Sequence, residues 1–339
     1  MRNYLHLALL LISIATLAAC GNGTQTLTPI SAATQTSQTL PFPIASYLAY
    51  EQIDTAMTEL ASNSSAEWVE IGNSVEQRPL KALHIPSQSG QPAPVILMVA
   101  GLHPREWIAP PQLINLAQRL LQTNSTTEVY RTNLEIWIVP IANPDGYIYS
   151  WQSDRSWRKN RRKNNDGSFG VDLNRNFLYQ WGEGDSSNNT LDETYHGPTA
   201  ASEPETKALQ QFIDNHNLLA VVDIHAYDQS LSYPATSLRA KSIAKKMGEL
   251  IQSVHQKNYS VNGYTLPMFG GGLIDYANGV HNIDSYVLEL RPNNANNTQE
   301  CPWLAQQSPF APPEQEIIAT WQEIEPALIY LLQQYASAQ

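Results

Sequence analysis

The chain has 339 residues, of which 42% are hydrophobic and 15% are charged, a composition typical of a globular protein with a sizeable apolar core. Its formal net charge of −11 argues against nucleic acid as a partner, because phosphate binding requires a basic face. With only two cysteines, a framework of several disulfides is excluded.

The first 19 residues have the features of an export signal. Met1 and Arg2 form a positive start, and an apolar run follows that is too short to span a bilayer comfortably. The run ends in Leu17-Ala18-Ala19-Cys20-Gly21, which resembles the cleavage site of bacterial lipoproteins. We therefore expect an exported bacterial lipoprotein, lipidated at Cys20 and anchored facing the periplasm or cell surface, with the outer membrane favoured by Gly21. The alternative is an ordinary signal peptide in which Cys20 is incidental.

Residues 20–44 are rich in Ser, Thr, Gln and Ala, and this composition predicts a flexible tether. Lipidation of Cys20 would leave Cys301 as a single thiol, so no internal disulfide is expected. The remainder, 45–339, contains no linker, and we expect one folded domain there.

Alternating strands and helices are predicted along this domain. Apolar periodicity favours helices at 44–60, 111–121, 203–215 and 314–335. Short β-favouring runs predict strands at 68–71, 80–85, 94–100, 134–141, 218–224 and 283–290, with a long polar loop at 144–202. The fold class expected is α/β, a single domain with a central twisted, mixed but mostly parallel sheet flanked by helices on both faces.

Polar side chains at the ends of three buried strands are the candidates for chemistry, because ligands bind outside the carboxyl ends of strands in such sheets. His103 and Glu106 follow the strand 94–100, His225 follows the strand 218–224, and Glu289 lies near the end of the strand 283–290. Two histidines and one glutamate form a ligand set of zinc metalloproteases. Taken alone, the His103–Glu106 pair could be a coincidence of sequence, and His225 alone could be a hydrogen-bonded histidine of the core.

The surrounding motifs make the pattern specific. In chain order they are Gly101-Leu102-His103-Pro104-Arg105-Glu106-Trp107, Asn143-Pro144-Asp145-Gly146-Tyr147, Trp157-Arg158-Lys159-Asn160-Arg161, Val171-Asp172-Leu173-Asn174-Arg175-Asn176, Tyr195-His196-Gly197-Pro198, Asp223-Ile224-His225-Ala226-Tyr227, Gly271-Gly272-Leu273-Ile274-Asp275 and Leu288-Glu289-Leu290-Arg291. From about residue 45 to the C-terminus the chain resembles the zinc carboxypeptidase family, and most closely its carboxypeptidase A/B branch.

The resemblance implies an enzyme, a metallocarboxypeptidase with one Zn²⁺ per chain. His103, Glu106 and His225 would hold the zinc, and Asp172 would orient His103 from behind. Glu289 would be the general base that takes a proton from the attacking water and returns it to the leaving amine.

Five further positions match residues that contact the substrate in this family. The first, Arg158, would polarise the scissile carbonyl. Asn174 and Arg175 would grip the terminal carboxylate, for which a planar guanidinium gives a bidentate match. Tyr227 would also contact the substrate. Ile274 would form the floor of the specificity pocket and favour apolar or aromatic C-terminal residues.

Three details depart from the family pattern or leave it open. The mobile tyrosine of the family falls on Pro267, and Tyr264 is the nearest substitute. A one-residue shift in register would place Asp275 rather than Ile274 in the pocket and reverse the preference. Phe269, also at a pocket position, is bulky and narrows the pocket.

The expected partners are peptide or protein C-termini, with no nucleic acid, and a monomer that touches the membrane only through its lipid. Two alternatives remain open at this point. One is a peptidoglycan stem-peptide hydrolase of the same family, and the other is a catalytically inactive, lipid-anchored binding protein.

Overall fold

The computed structural model describes residues 41–122, 128–293, 304 and 307–337. The predicted export signal, Cys20 and most of the predicted tether lie outside the described residues. Eight α-helices occur in the described part of the chain: α1 Tyr50–Ser62, α2 Ala109–Leu121, α3 Glu128–Asn133, α4 Pro144–Gln152, α5 Pro204–Asn215, α6 Leu238–His255, α7 Leu273–His281 and α8 Gln315–Ala336. The strands described are β1 Glu67–Asn73, β2 Pro79–Ile85, β3 Val95–Ala100, β4 Glu135–Val139, β5 Leu218–Ala226, β6 Ser230–Pro234, β7 Ser260–Tyr264 and β8 Asp284–Leu290.

All eight described strands form one sheet, in the order β1-β2-β4-β3-β5-β8-β6-β7. Four neighbouring pairs are parallel, among them the central run β4-β3-β5-β8, and three are antiparallel. The middle strand β3 consists of Val, Ile, Leu, Met and Ala, and every residue in it is buried, as expected for a strand covered on both faces. The predicted mixed, mostly parallel α/β sheet is confirmed.

Helices cover both faces of this sheet. Because side chains alternate along a strand, Ile96 and Met98 enter one apolar cluster, and Leu97 and Val99 enter another. The first cluster contains buried residues of α1, α2, α6 and α8, and the second contains those of α5 and α7. The two clusters fix the sheet as the middle layer, so its strand ends are held on a rigid base.

Several elements were not predicted. The region predicted as a polar loop contains α4, which begins where the side chain of Asn143 accepts a hydrogen bond from the Gly146 amide at 3.0 Å and Pro144 occupies the first turn. At the other boundary, Ile44 was predicted to end the tether, but it is buried and its amide donates to Asn115 Oδ1 at 2.6 Å. In the part of the chain that the structure covers, none of the helices combines the length and apolarity needed to cross a bilayer.

The sheet brings the candidate residues together. β3, β5 and β8 are parallel neighbours, and their carboxyl ends lie at one edge of the sheet. His225 on β5 is in register with Glu289 on β8, and His103 follows the end of β3 by three residues. The strand order therefore places three chain-distant segments around one point.

Candidate active site

Three buried side chains converge at this point. The two oxygens of the Glu106 carboxylate lie 2.8 Å from His103 Nδ1 and 3.0 Å from His225 Nδ1. All three side chains are at most 5% exposed, and one donor atom from each lies within 4.8 Å of the others. Buried imidazoles and a carboxylate whose donor atoms face each other form an obvious place for a cation.

The donor set fits zinc. Zinc bonds nitrogen and oxygen at about 2 Å, so donors on one tetrahedral ion lie roughly 3 to 3.5 Å apart, close to the 2.8 and 3.0 Å that separate the Glu106 oxygens from the two imidazole nitrogens. His103, Glu106 and His225 would hold the ion and leave further positions open to water or substrate. When bound, a zinc ion would supply a Lewis acid and would acidify a neighbouring water.

Each histidine also has a carboxylate behind it. His103 Nε2 lies 3.2 Å from Oδ1 of Asp172, the residue that the family resemblance assigns to orienting it. His225 Nε2 lies 2.8 Å from Asp223 Oδ2. Asp223 is fully buried, and among the described residues its carboxylate has no aligned hydrogen bond. Such carboxylates keep the far nitrogen protonated and direct the near nitrogen at a metal, so Asp223 is a functional candidate that the sequence analysis missed.

The charges of this cluster compensate each other. Burial alone would raise the pKa of Glu106, but the facing imidazoles of His103 and His225 hold it well below its usual range. Burial lowers the pKa of His225, and the carboxylates of Asp223 and Glu106 more than reverse this effect. For Asp172, burial is likewise overcome, chiefly by Arg158, and its pKa is well below normal. The carboxylates of Glu106 and Asp172 are therefore ionised, as metal ligation and histidine orientation require.

Glu289 has the opposite character. It lines the same cavity as His103, Glu106 and His225, and its side chain makes no hydrogen bond to another described residue. Burial raises the pKa of its carboxyl to about 8; the neighbouring His225 lowers it and Glu106 raises it further. A carboxylate that holds a proton readily and faces the metal cluster has the properties of a general base.

Arg158 projects into the cavity beside the metal cluster. Its Nε and Nη2 donate to Asp172 Oδ2 at 3.0 and 2.9 Å. Burial lowers its pKa, and Asp172 and Glu106 more than restore it. Asp172 therefore contacts both His103 and Arg158, which holds a cation beside the metal cluster.

The cavity has a volume of about 270 Å³. Beyond the metal cluster, Glu289 and Arg158, the residues that line it are Asn174, Arg175, Ala226, Tyr227, Phe269 and Phe310. Asn174 and Arg175 belong to a short 3-10 helix, Leu173–Arg175, in which the Asn174 amide donates to the Asp172 side chain at 3.0 Å. The predicted carboxylate-binding pair is thus linked by one residue, Asp172, to the metal cluster.

The predicted pocket floor lies one layer deeper. Ile274 is fully buried in a small cluster with Tyr264 and Val287, and Phe269 packs on that cluster. Ile274 is not among the residues that line the cavity, whereas Phe269 is. Phe269 therefore stands between the cavity and the residue predicted to select the substrate side chain.

The side chains of Asp275 and Tyr264 both make hydrogen bonds to the backbone outside the cavity. The Asp275 carboxylate accepts hydrogen bonds from the backbone amides of Met268, Phe269, Gly270 and Gly272 at 2.7 to 3.2 Å, and so it organises the loop instead of entering the pocket. The Tyr264 hydroxyl donates to the Ser285 carbonyl at 3.2 Å.

The sequence analysis missed two further residues: Phe310, which lines the cavity, and Asp185, which contacts the lining residue Arg175. The ring of Phe310 lies 5.1 Å from that of Tyr227 and 4.2 Å from the Arg105 guanidinium, but it belongs to a segment without a recognisable motif. Asp185 pairs with Arg175, with Nε–Oδ1 and Nη2–Oδ2 distances of 2.8 and 3.0 Å. No local pattern marks either residue.

Sequence comparisons identify relatives of this chain. A family profile described as zinc carboxypeptidase matches residues 53–327. Carboxypeptidase O of Bos taurus is 33% identical over 278 residues, which cover 77% of this chain and 71% of the relative. Carboxypeptidase B of Homo sapiens is 33% identical over 298 residues, which cover 83% of this chain and 67% of the relative.

Solved structures agree with these matches. Carboxypeptidase A from Helicoverpa armigera matches with a TM-score of 0.73 at 30% identity, and the match covers 87% of this chain and 75% of that one. Thrombin-activatable fibrinolysis inhibitor matches with a TM-score of 0.77 at 24% identity, covering 87% and 76% of the two chains, and so shows the shared fold. The predicted resemblance is confirmed, and the chain belongs to the zinc carboxypeptidase family of metal-dependent hydrolases.

Proposed function

We propose that the protein is a zinc-dependent exopeptidase that hydrolyses the C-terminal bond of peptides and proteins. The observation that carries the proposal is the layout of one cavity. The metal-binding cluster, Glu289, Arg158, Asn174 and Arg175 all line it, and Asn174 Nδ2 lies 3.3 Å from His225 Nε2, so the predicted carboxylate-binding pair directly adjoins the metal cluster. A cation that binds a carboxylate at a fixed distance from the hydrolytic centre selects the last peptide bond of a chain.

The roles of the residues follow from this layout. Arg175 and Asn174 hold the terminal carboxylate through charge-assisted hydrogen bonds. Arg158 donates to the scissile carbonyl oxygen as negative charge develops on it. Glu289 accepts a proton from the attacking water and passes it to the leaving nitrogen.

We also propose a preference for apolar or aromatic C-terminal residues. Its support is that the Asp275 carboxylate is committed to four backbone amides, which leaves apolar Phe269 at the cavity and Ile274 behind it. An unpaired Lys or Arg side chain among such groups is costly.

The test is hydrolysis of a blocked dipeptide ending in Phe, before and after removal of metal with a chelator and after restoration of zinc. Cleavage that is lost and then recovered supports the proposal. No cleavage of any peptide by zinc-loaded protein would favour a binding protein instead, and cleavage confined to peptidoglycan stem peptides would favour the cell-wall hydrolase.

Export, lipidation at Cys20 and a monomeric state are further parts of the proposal, and residues 17–21 support the first two. In a bacterial host, Cys20→Ser should move the protein from the membrane fraction to the soluble fraction without changing its specific activity. A wild-type protein that is fully soluble after export would contradict lipidation. Sedimentation of the exported protein tests the monomer.

A further inference from the structure

The proposed function makes Arg175 the group that binds the substrate carboxylate, yet this guanidinium already has a carboxylate partner. Asp185 accepts from Nε at 2.8 Å and from Nη2 at 3.0 Å. Nη1 donates to the Asn174 carbonyl at 2.8 Å. Three of the five N–H groups of Arg175 are therefore engaged before any substrate binds.

The pair is set by the packing of two loops. Gly184, with φ of +65°, lies so close to the next loop that an added Cβ would be 2.6 Å from the Phe269 carbonyl oxygen. Conversely, a Cβ on Gly270 would be 2.1 Å from the carbonyl oxygen of Glu183. Each loop uses a glycine to approach the other, so Asp185 has a defined position beside Arg175.

The two partners differ in their access to water. The Arg175 side chain is 5% exposed and that of Asp185 is 64% exposed. Arg175 is also held by the Asn174 carbonyl and by the Phe269 ring, which lies 4.8 Å from its guanidinium carbon. Two contacts besides Asp185 thus orient the guanidinium. The distinct contribution of Asp185 is its negative charge.

We infer that Asp185 is an internal counter-ion of Arg175 that weakens the binding of carboxylate ligands at this site. A ligand carboxylate must share one guanidinium with Asp185, which places two like charges on the same cation. The effect applies to the substrate and equally to the released amino acid, since both carry the carboxylate. Asp185 thereby raises KM and limits inhibition by product, while the hydrolytic groups are untouched.

The experiment compares Asp185→Asn with the wild-type, zinc-loaded enzyme. The amide keeps the size and one acceptor but removes the charge. KM and the inhibition constant of free phenylalanine should both fall about threefold to tenfold, with kcat nearly unchanged. Phenylalaninamide, which lacks the carboxylate, should inhibit both proteins equally.

Two further variants make the result decisive. Glu183→Gln removes a charge from the same loop two residues away and should leave both constants unchanged, which controls for long-range charge. Asp185→Ser should act like Asp185→Asn, and equal thermal midpoints would show that folding is intact. Unchanged or raised KM and phenylalanine inhibition constants in Asp185→Asn would overturn the inference.

Arg175→Ala separates this inference from the proposed function. If that variant binds phenylalanine as well as the wild type, the carboxylate site itself is misplaced and the proposed function fails. If it loses phenylalanine binding while Asp185→Asn changes nothing, only the counter-ion role is wrong.

Discussion

The active-site cavity joins two groups of residues that are built differently, a metal end and a carboxylate end. The metal end takes His225 and Glu289 from adjacent strands and His103 from the segment directly after a third. The carboxylate end takes Arg175 from a short 3-10 helix and places it between two loops, 183–185 and 269–271. The first end is fixed by the sheet, and the second depends on contacts between irregular segments.

The difference separates chemistry from selection. Strand ends in a packed sheet hold catalytic groups within narrow limits, and loops vary without disturbing them. Here the metal cluster and Glu289 belong to the rigid end, whereas Phe269, Asp185 and Asp275 shape the end proposed to recognise the last residue of the substrate. Substitutions at the metal end should therefore change turnover, and substitutions at the carboxylate end should change affinity and preference.

The largest effect is expected for a ligand at the metal end. His225→Ala removes one of three donors, so the protein should lose both its zinc and its activity. Metal content after dialysis, measured by elemental analysis beside a peptidase assay, checks this. One zinc per chain with full activity would show that His225 is not a ligand.

Glu289→Gln should have the next largest effect. The amide is nearly isosteric but accepts no proton, so turnover should fall about 10²- to 10⁴-fold with zinc retained. The measurement is kcat at saturating peptide together with metal content. Turnover within tenfold of the wild type would assign the base to another group.

Asp223→Asn tests whether the carboxylate that contacts His225 contributes to zinc affinity. Because the Asp223 carboxylate lies 2.8 Å from His225 Nε2, the variant should bind zinc about 10- to 100-fold more weakly. Competition with a chelator of known affinity measures this directly. Asp172→Asn is the matched comparison at His103. If Asp223→Asn alone left the zinc affinity unchanged, Asp223 would not contribute to zinc binding.

A smaller change, confined to preference, is expected where Phe269 covers Ile274. Phe269→Ala should open the deeper layer and raise the ratio of kcat/KM for peptides ending in Phe over those ending in Ala. Adding Ile274→Asp should shift the preference toward Lys and Arg, because a buried carboxylate then pairs with the basic side chain. A wild-type enzyme that already prefers Lys or Arg would show that the assumed pocket is wrong.

The same contrast explains what could be predicted from the sequence. Long buried runs such as 94–100 identify central strands, and a ligand placed just after such a strand is predictable from position alone. By contrast, the sequence analysis assigned no element between 224 and 283. The edge strand β7, Ser260–Tyr264, is mostly exposed and lacks a clear alternation of apolar and polar residues. The helix α6 did carry a sequence signal at its start, where Ser237 accepts a hydrogen bond from the Ala240 amide at 3.0 Å.

At the site, the predicted metal ligands, Glu289, Arg158, Asn174, Arg175 and Tyr227 all line one cavity, and Asp172 was foreseen behind His103, but two other partners, Asp223 and Asp185, were not. Asp223 was readable in principle, since it lies two residues before His225 and so on the same face of the strand. Asp185 was not, because its contact with Arg175 depends on Gly184 and Gly270 allowing two distant loops to touch.

The central claim is that one cavity joins a hydrolytic centre to a carboxylate-binding arginine. Its most direct test is kcat/KM for two peptides that differ only in a free or an amidated C-terminus, measured with the wild type and with Arg175→Ala. The account predicts that the wild type prefers the free carboxylate strongly, by about 100-fold or more, and that Arg175→Ala loses most of this preference while retaining zinc. Equal cleavage of both peptides by the wild type, or an undiminished preference in Arg175→Ala, would contradict it.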